Sequence, residues 1–153
     1  KRNYYKKGNE LLNANIQYKD KYKGKRCFIL GNGPSLNNVD FKMLENEYVF
    51  TPNRLVRNER FSELKSNFHV VIDPVFWGKR KDIRISANDF LNELKNMDKT
   101  TKLIFPTDAY ECLKRSKLLE RALFVKIGKP FHDGNEIIDE DGEINQRYWI
   151  ELD

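Results

Sequence analysis

The sequence predicts an α/β, Rossmann-like domain: a predominantly parallel sheet of about five strands with flanking helices and a C-terminal hairpin or lid. Three observations lead there. Short apolar runs recur at residues 27–30, 48–51, 69–72, 103–105 and 123–127, bounded by turn-forming residues. Segments with helical spacing stand between them, the rhythm of strand, crossover and parallel strand. The first run then collapses into the turn Gly31-Asn32-Gly33-Pro34-Ser35, where glycines allow a sharp bend and a close approach of the backbone to a bound group.

In chain order, residues 1–25 carry much of the positive excess, and Tyr5, Leu11, Leu12, Ile16 and Tyr22 are spaced for an amphipathic helix leading into the first strand. The run at 27–30 is apolar without alternation, as expected for a strand covered on both faces. Pro34 fixes its own φ, and Ser35 is placed to cap a helical turn beginning near Leu36. Asp40 reads as the N-cap of a short helix through Leu44, Ser86 as that of a helix with Phe90, Leu91 and Leu94 inward, and Thr107 as that of the next. A less regular helical connection with Leu55, Phe61 and Leu64 follows the second strand. With all crossovers right-handed, the C-terminal ends of the strands share one rim, which gathers Asn32, Asn53, Asp73, Pro106 and Gly128.

The glycine turn is neither of the two familiar phosphate loops. No lysine follows Gly33 as a Walker loop requires, and Leu36 stands where the dinucleotide fingerprint needs a third small residue. The run from Gly24 through Cys27-Phe28-Ile29-Leu30-Gly31-Asn32-Gly33-Pro34-Ser35-Leu36, followed by Asp40, Asn53 and Asp73-Pro74, instead resembles the DUF115 proteins. That group contains motility accessory factor glycosyltransferases and archaeal 6-hydroxymethylpterin diphosphokinase-like proteins, and its core is similar to bacterial sialyltransferases that use CMP-sialic acid. The resemblance covers roughly residues 19–76. It implies that Gly31, Asn32, Gly33, Pro34 and Ser35 hold the phosphate or ribose of a nucleotide, and that Asn53 faces the nucleoside. Where the sialyltransferases carry asparagine at the end of the third strand, this chain has Asp73. The family pattern also continues beyond its fifth strand, so the chain reads as a fragment of a longer protein.

On local sequence alone, Asn53 is either a reader of ribose hydroxyls and base edge or a helix cap. Asp73 is either a ligand contact or base, or the cap of the Pro74 turn. His69, at the start of a strand, reads as structural and as lying at the end away from the rim. His132, on the glycine-bounded loop after the fifth strand, is the candidate catalytic base, or else a solvated loop residue. Residues 136–144 contain an Asp-x-Asp pattern around Asp139 and Asp141, but Asp-Gly between alternating runs is a hairpin signal and needs no metal. Trp77 and Trp149 can stack on a base or pack in the core or a lid, and Lys79 and Arg80 can assist a phosphate.

With 153 residues and 39% hydrophobic content, the chain can bury one core, and it reads as one domain: a basic N-terminal helix (1–23), an α/β core (24–128), and a loop with a hairpin (129–153). No apolar run approaches the roughly 20 residues of a membrane span. Cys27 and Cys112 lack metal-ligand spacing and read as free thiols in a reducing compartment. The net charge of +5 favours anionic partners without choosing among them.

The expectation is a cytoplasmic protein, at most at the inner face of the membrane through its basic first helix. It would bind a CMP-sugar or UDP-sugar and transfer the sugar to a glycan or protein acceptor, with no cofactor, no metal and no nucleic-acid partner. Two alternatives stand beside it: a magnesium-dependent diphosphokinase acting on a hydroxymethylpterin, and a non-catalytic nucleotide-binding or scaffold module.

Overall fold

The computed structural model describes residues 2–78 and 86–127, with side chains from residue 8 onward. Lys79, Arg80, Gly128, His132, Asp133, Trp149 and the proposed hairpin at 136–144 lie outside the described residues. The chain opens with helix α1 (Arg2–Asn13), which tightens into a 3-10 turn at Ala14–Tyr18. Five strands follow: β1 (Cys27–Ile29), β2 (Tyr48–Pro52), β3 (Phe68–Val70), β4 (Lys102–Pro106) and β5 (Ala122–Val125). The β1–β2 and β2–β3 connections are built of 3-10 turns, while helix α2 (Ala87–Asn96) lies between β3 and β4 and α3 (Tyr110–Arg115) between β4 and β5.

All four strand pairings are parallel, so the expected α/β sheet is present and every strand ends on the same rim. The strand order is β1-β2-β3-β4-β5, the order of the chain. Right-handed crossovers that always step in one direction lie on one face of a sheet, and the burial follows that rule. Val49, Thr51, His69, Val71, Leu103 and Phe105 point to the crossover face and are at most 1% exposed. Their alternates Tyr48, Phe50, Phe68, Val70, Ile104, Leu123 and Val125 form the opposite face, where Tyr22 from the N-terminal segment packs over them. Among the described strands the order never reverses, so the crevice that a reversal opens in a doubly wound sheet does not arise between them.

The main core gathers Val71, Phe76, Phe90, Leu94, Leu103, Phe105 and Leu113 under α2 and α3. A second cluster, with Leu36, Phe41, Leu44, Val49 and Leu55, fills the space under the β1–β2 and β2–β3 connections. Trp77 belongs to the main core, the packing alternative of the two considered for it.

Several local expectations need correction. The first strand is not covered on both faces: all three residues of β1 are exposed, with Ile29 at 78%, because among the described residues β1 is an edge paired only with β2. Ile16 is 70% exposed instead of inward, because the helix has tightened to a 3-10 turn by that point. Ser35 caps nothing, since the 3-10 turn Pro34–Asn38 begins one residue earlier with Gly33 at the N-cap position. Thr107 likewise lies inside the turn Thr107–Ala109, with Pro106 at its N-cap position. Asp40 and Ser86 do cap their helices, accepting from the Lys42 and Asp89 amides at 3.0 and 3.3 Å.

Candidate functional site

The C-terminal rim is the place to which the sheet brings the polar residues singled out above. β1 and β2 are paired as far as Ile29 and Phe50; Asn32 lies in the loop that follows β1, and Asn53 begins the 3-10 turn that follows β2. Asp73 stands just past the end of β3, the next strand over.

The loop 31–35 is solvent-exposed throughout. It is held from below: Leu36 is 6% exposed within the second core cluster. It is also held from the side, because the Arg60 guanidinium donates to the Asn37 and Val39 carbonyls, both at 3.1 Å, and lies 4.3 Å over the Phe41 ring. Arg60 is a residue that sequence reasoning missed; nothing local ties an arginine in one crossover to carbonyls in another. The glycines of this loop do not have the left-handed backbone that a sharp glycine bend would require. Among the described residues positive φ at glycine occurs only at Gly24 and Gly78. A Cβ placed on Gly31 would meet nothing within 4 Å, and one on Gly33 only the Ser35 hydroxyl at 3.7 Å. Among the described residues, therefore, neither conformation nor packing calls for glycine at 31 or 33.

Asn53 is the site's strained residue. It has φ of 42°, in the left-handed region that asparagine tolerates better than most residues. Its side chain does not cap the turn that it begins, so the capping alternative is not realised. Its Oδ1 is buried and has no hydrogen-bond partner. A buried acceptor without a donor costs free energy unless something pairs with it.

What fixes Asn53 is a polar chain running through the core. Thr51, Ser66, His69 and Thr101, the buried polar residues of the described chain, form one connected network. The Asn53 carbonyl can only accept, so His69 Nε2 carries the proton and donates to it at 3.0 Å. His69 Nδ1 then accepts from the Thr51 hydroxyl at 2.8 Å, and the Thr51 oxygen accepts from Ser66 at 2.7 Å. Thr101 donates to the Ser66 carbonyl at 2.7 Å. His69 is fully buried, as a structural histidine would be, but its ring reaches the rim instead of the far end of the sheet. Burial pushes its imidazole down to about 4, against the Asn53 carbonyl bond that favours the charged form. It therefore works as a neutral, fixed donor.

Asp73 takes the capping alternative, accepting from the Val75 amide at 3.0 Å at the start of the turn Pro74–Trp77. One carboxylate oxygen is used in this way. Cys27 and Cys112 are free thiols, and among the described residues no group of three His, Cys, Asp or Glu side chains could hold a metal ion.

Two cavities are formed elsewhere. One, of about 200 Å³, lies between the N-terminal segment and the sheet face opposite the crossovers, with Tyr22, Tyr48 and Phe68 among its walls. The other, an open groove of about 660 Å³, lies between α2 and α3, with Trp77, Asn92, Lys95 and Arg115 along it. Asn32, Asn53 and Asp73 line neither. Comparison of the chain with protein-family models, curated proteins and solved structures returned no match.

Proposed function

We propose that the chain binds a nucleotide-activated sugar, a CMP-sugar or UDP-sugar, at the C-terminal rim, and that it is a glycosyltransferase or part of one, passing the sugar to a bacterial surface glycan or protein acceptor. The observation that carries this reading is the exposed Gly31-Asn32-Gly33 segment, whose glycines, among the described residues, are required by neither backbone conformation nor packing. At the end of the neighbouring strand β2 follows an asparagine held in a strained conformation with an unpaired buried acceptor. The resemblance of residues 19–76 to the sialyltransferase-like group supports the same choice of ligand.

In this reading the loop amides and Asn32 receive phosphate or ribose oxygens, as backbone donors at such turns do. Asn53 Oδ1 accepts a hydrogen bond from a nucleoside hydroxyl, while Asp73 keeps the third strand end in shape through its cap. The acceptor hydroxyl, once deprotonated, attacks the anomeric carbon, and the nucleotide phosphate leaves with the bonding pair. Orientation of the two partners and stabilisation of charge on the leaving group are what the rim has to supply. His132, the proposed base, belongs to the part of the chain outside the described residues.

Gly31→Ala is the decisive variant, since its added methyl meets nothing within 4 Å among the described residues. Calorimetric titration with CMP-sugars and UDP-sugars should show binding by the parent chain and a loss of at least about tenfold, roughly 1.4 kcal/mol, in the variant. Its thermal stability should stay equal or rise by up to about 1 kcal/mol through the stiffer unfolded chain. No binding of any sugar nucleotide to the folded parent, or equal binding by the variant, would overturn the proposal and leave the scaffold reading.

A further inference from the structure

The cavity under the sheet is separate from the rim and carries an assignment that does not rest on the sugar-nucleotide reading. It sits over the beginnings of the strands, where Cys27, Tyr48 and Phe68 start β1, β2 and β3. Tyr22 arches over it from the N-terminal segment, its ring 4.7 Å from Tyr48 and 5.6 Å from Phe68, both edge-on, while Phe50 stacks on Phe68 at 4.5 Å. Phe68 and Ile104 are 6% and 1% exposed, so the floor is closed and apolar. At one end, Asn15 ties the arch to β5 by donating to the Phe124 carbonyl at 2.6 Å.

Hydrocarbon walls on this scale select against a base or a sugar, whose polar edges would be left without partners. At about 200 Å³ the space exceeds the roughly 150 Å³ of an apolar cavity that takes up benzene. The mouth has the opposite character. Lys19, Lys25 and Arg26 line it, and among the described residues no carboxylate does. Arg26 is held by Glu47, whereas among the described residues Lys19 and Lys25 enter no ion pair. Lys21 adds a further charge over the Tyr18 and Tyr22 rings, at 5.1 and 5.7 Å.

We infer that this cavity binds an anionic amphiphile with a single aliphatic chain, the chain entering between Tyr22 and the sheet and the anionic head resting against Lys19 and Lys25. Apolar depth and a one-sign mouth together specify that class: tail burial supplies affinity and the lysines set the orientation.

The test uses alkyl phosphates of six, eight and ten carbons, below their micelle-forming concentrations, titrated into the full chain by calorimetry. Affinity should tighten about fourfold per added methylene until the cavity is full and then level off. The protein's Tm should rise with ligand, and ring-proton resonances of Tyr22, Tyr48 and Phe68 should shift while those of Phe90 stay fixed. Leu123→Trp, which fills the cavity from the floor, should abolish the chain-length dependence, and the Lys19→Gln, Lys25→Gln double variant should weaken binding about tenfold at low salt. If Leu123→Trp fails to fold, the ring-proton shifts carry the same decision in the parent chain. Absence of binding, binding indifferent to chain length, or a falling Tm would overturn the assignment. So would phosphatidylglycerol vesicles binding Leu123→Trp as well as the parent, which would show surface adsorption by the lysines alone.

Discussion

Burial pushes the His69 imidazole down to about 4, and the sign of its effect on stability follows. Between pH 6.5 and 4 the unfolded chain binds a proton that the folded chain refuses, so stability is full above pH 6.5 and is lost as the pH falls towards 4. The loss should be about 3 kcal/mol, read as a fall in the urea midpoint across that window, and His69→Gln should flatten it even if it lowers stability overall. Part of this scale was legible in the sequence. Asp40 and Ser86 cap where they were expected because a cap depends on residues two or three positions away. Ser35 and Thr107 do not cap, because the prolines beside them set where each turn begins. The neutral donor at Asn53 could not be read locally at all, since His69 and Asn53 are distant in sequence and meet only across paired strands.

At the scale of elements, the five strands fall within a few residues of the expected runs, because apolar runs bounded by turn residues are a strong local signal. The joints between elements were not legible. Arg121, between α3 and β5, donates to the carbonyls of Leu94, Asp98 and Thr101 at 3.1, 2.8 and 3.0 Å, closing the C-terminal end of α2 against the start of β4. A guanidinium in this place satisfies orphan carbonyls and answers the negative end of the helix. Arg121→Met keeps much of the stem packing but removes the donors, and it should cost about 2 kcal/mol in chemical unfolding. Arg60→Met tests the same kind of tie in the loop that supports residues 31–35, but with ligand affinity, not stability, as its sensitive readout.

For the molecule as a whole, the sequential strand order sends the connections to one face, and among the described residues the N-terminal segment packs over the other. Stability is therefore graded across the sheet. Leu103 and Phe105 of β4 are fully buried between neighbours, while β1 is exposed along its length. Native-state hydrogen exchange should find the β4 amides opening only with global unfolding and the β1 amides exchanging through local opening. Equal protection of the two strands would contradict the described edge. Among the described residues no helix is long and apolar enough to cross a membrane.

The sequence by itself determined the class of fold, the position of each strand, the parallel rim and the loop most worth testing, because apolar periodicity and turn chemistry act over a few residues. Only the tertiary structure decided that β1 lies at an edge, that Asp73 is spent on a cap while Asn53 is not, and that an apolar cavity with a basic mouth opens under the sheet. Those outcomes depend on which strand pairs with which and on what each face is left to cover, and such pairings are made between residues that no local pattern connects.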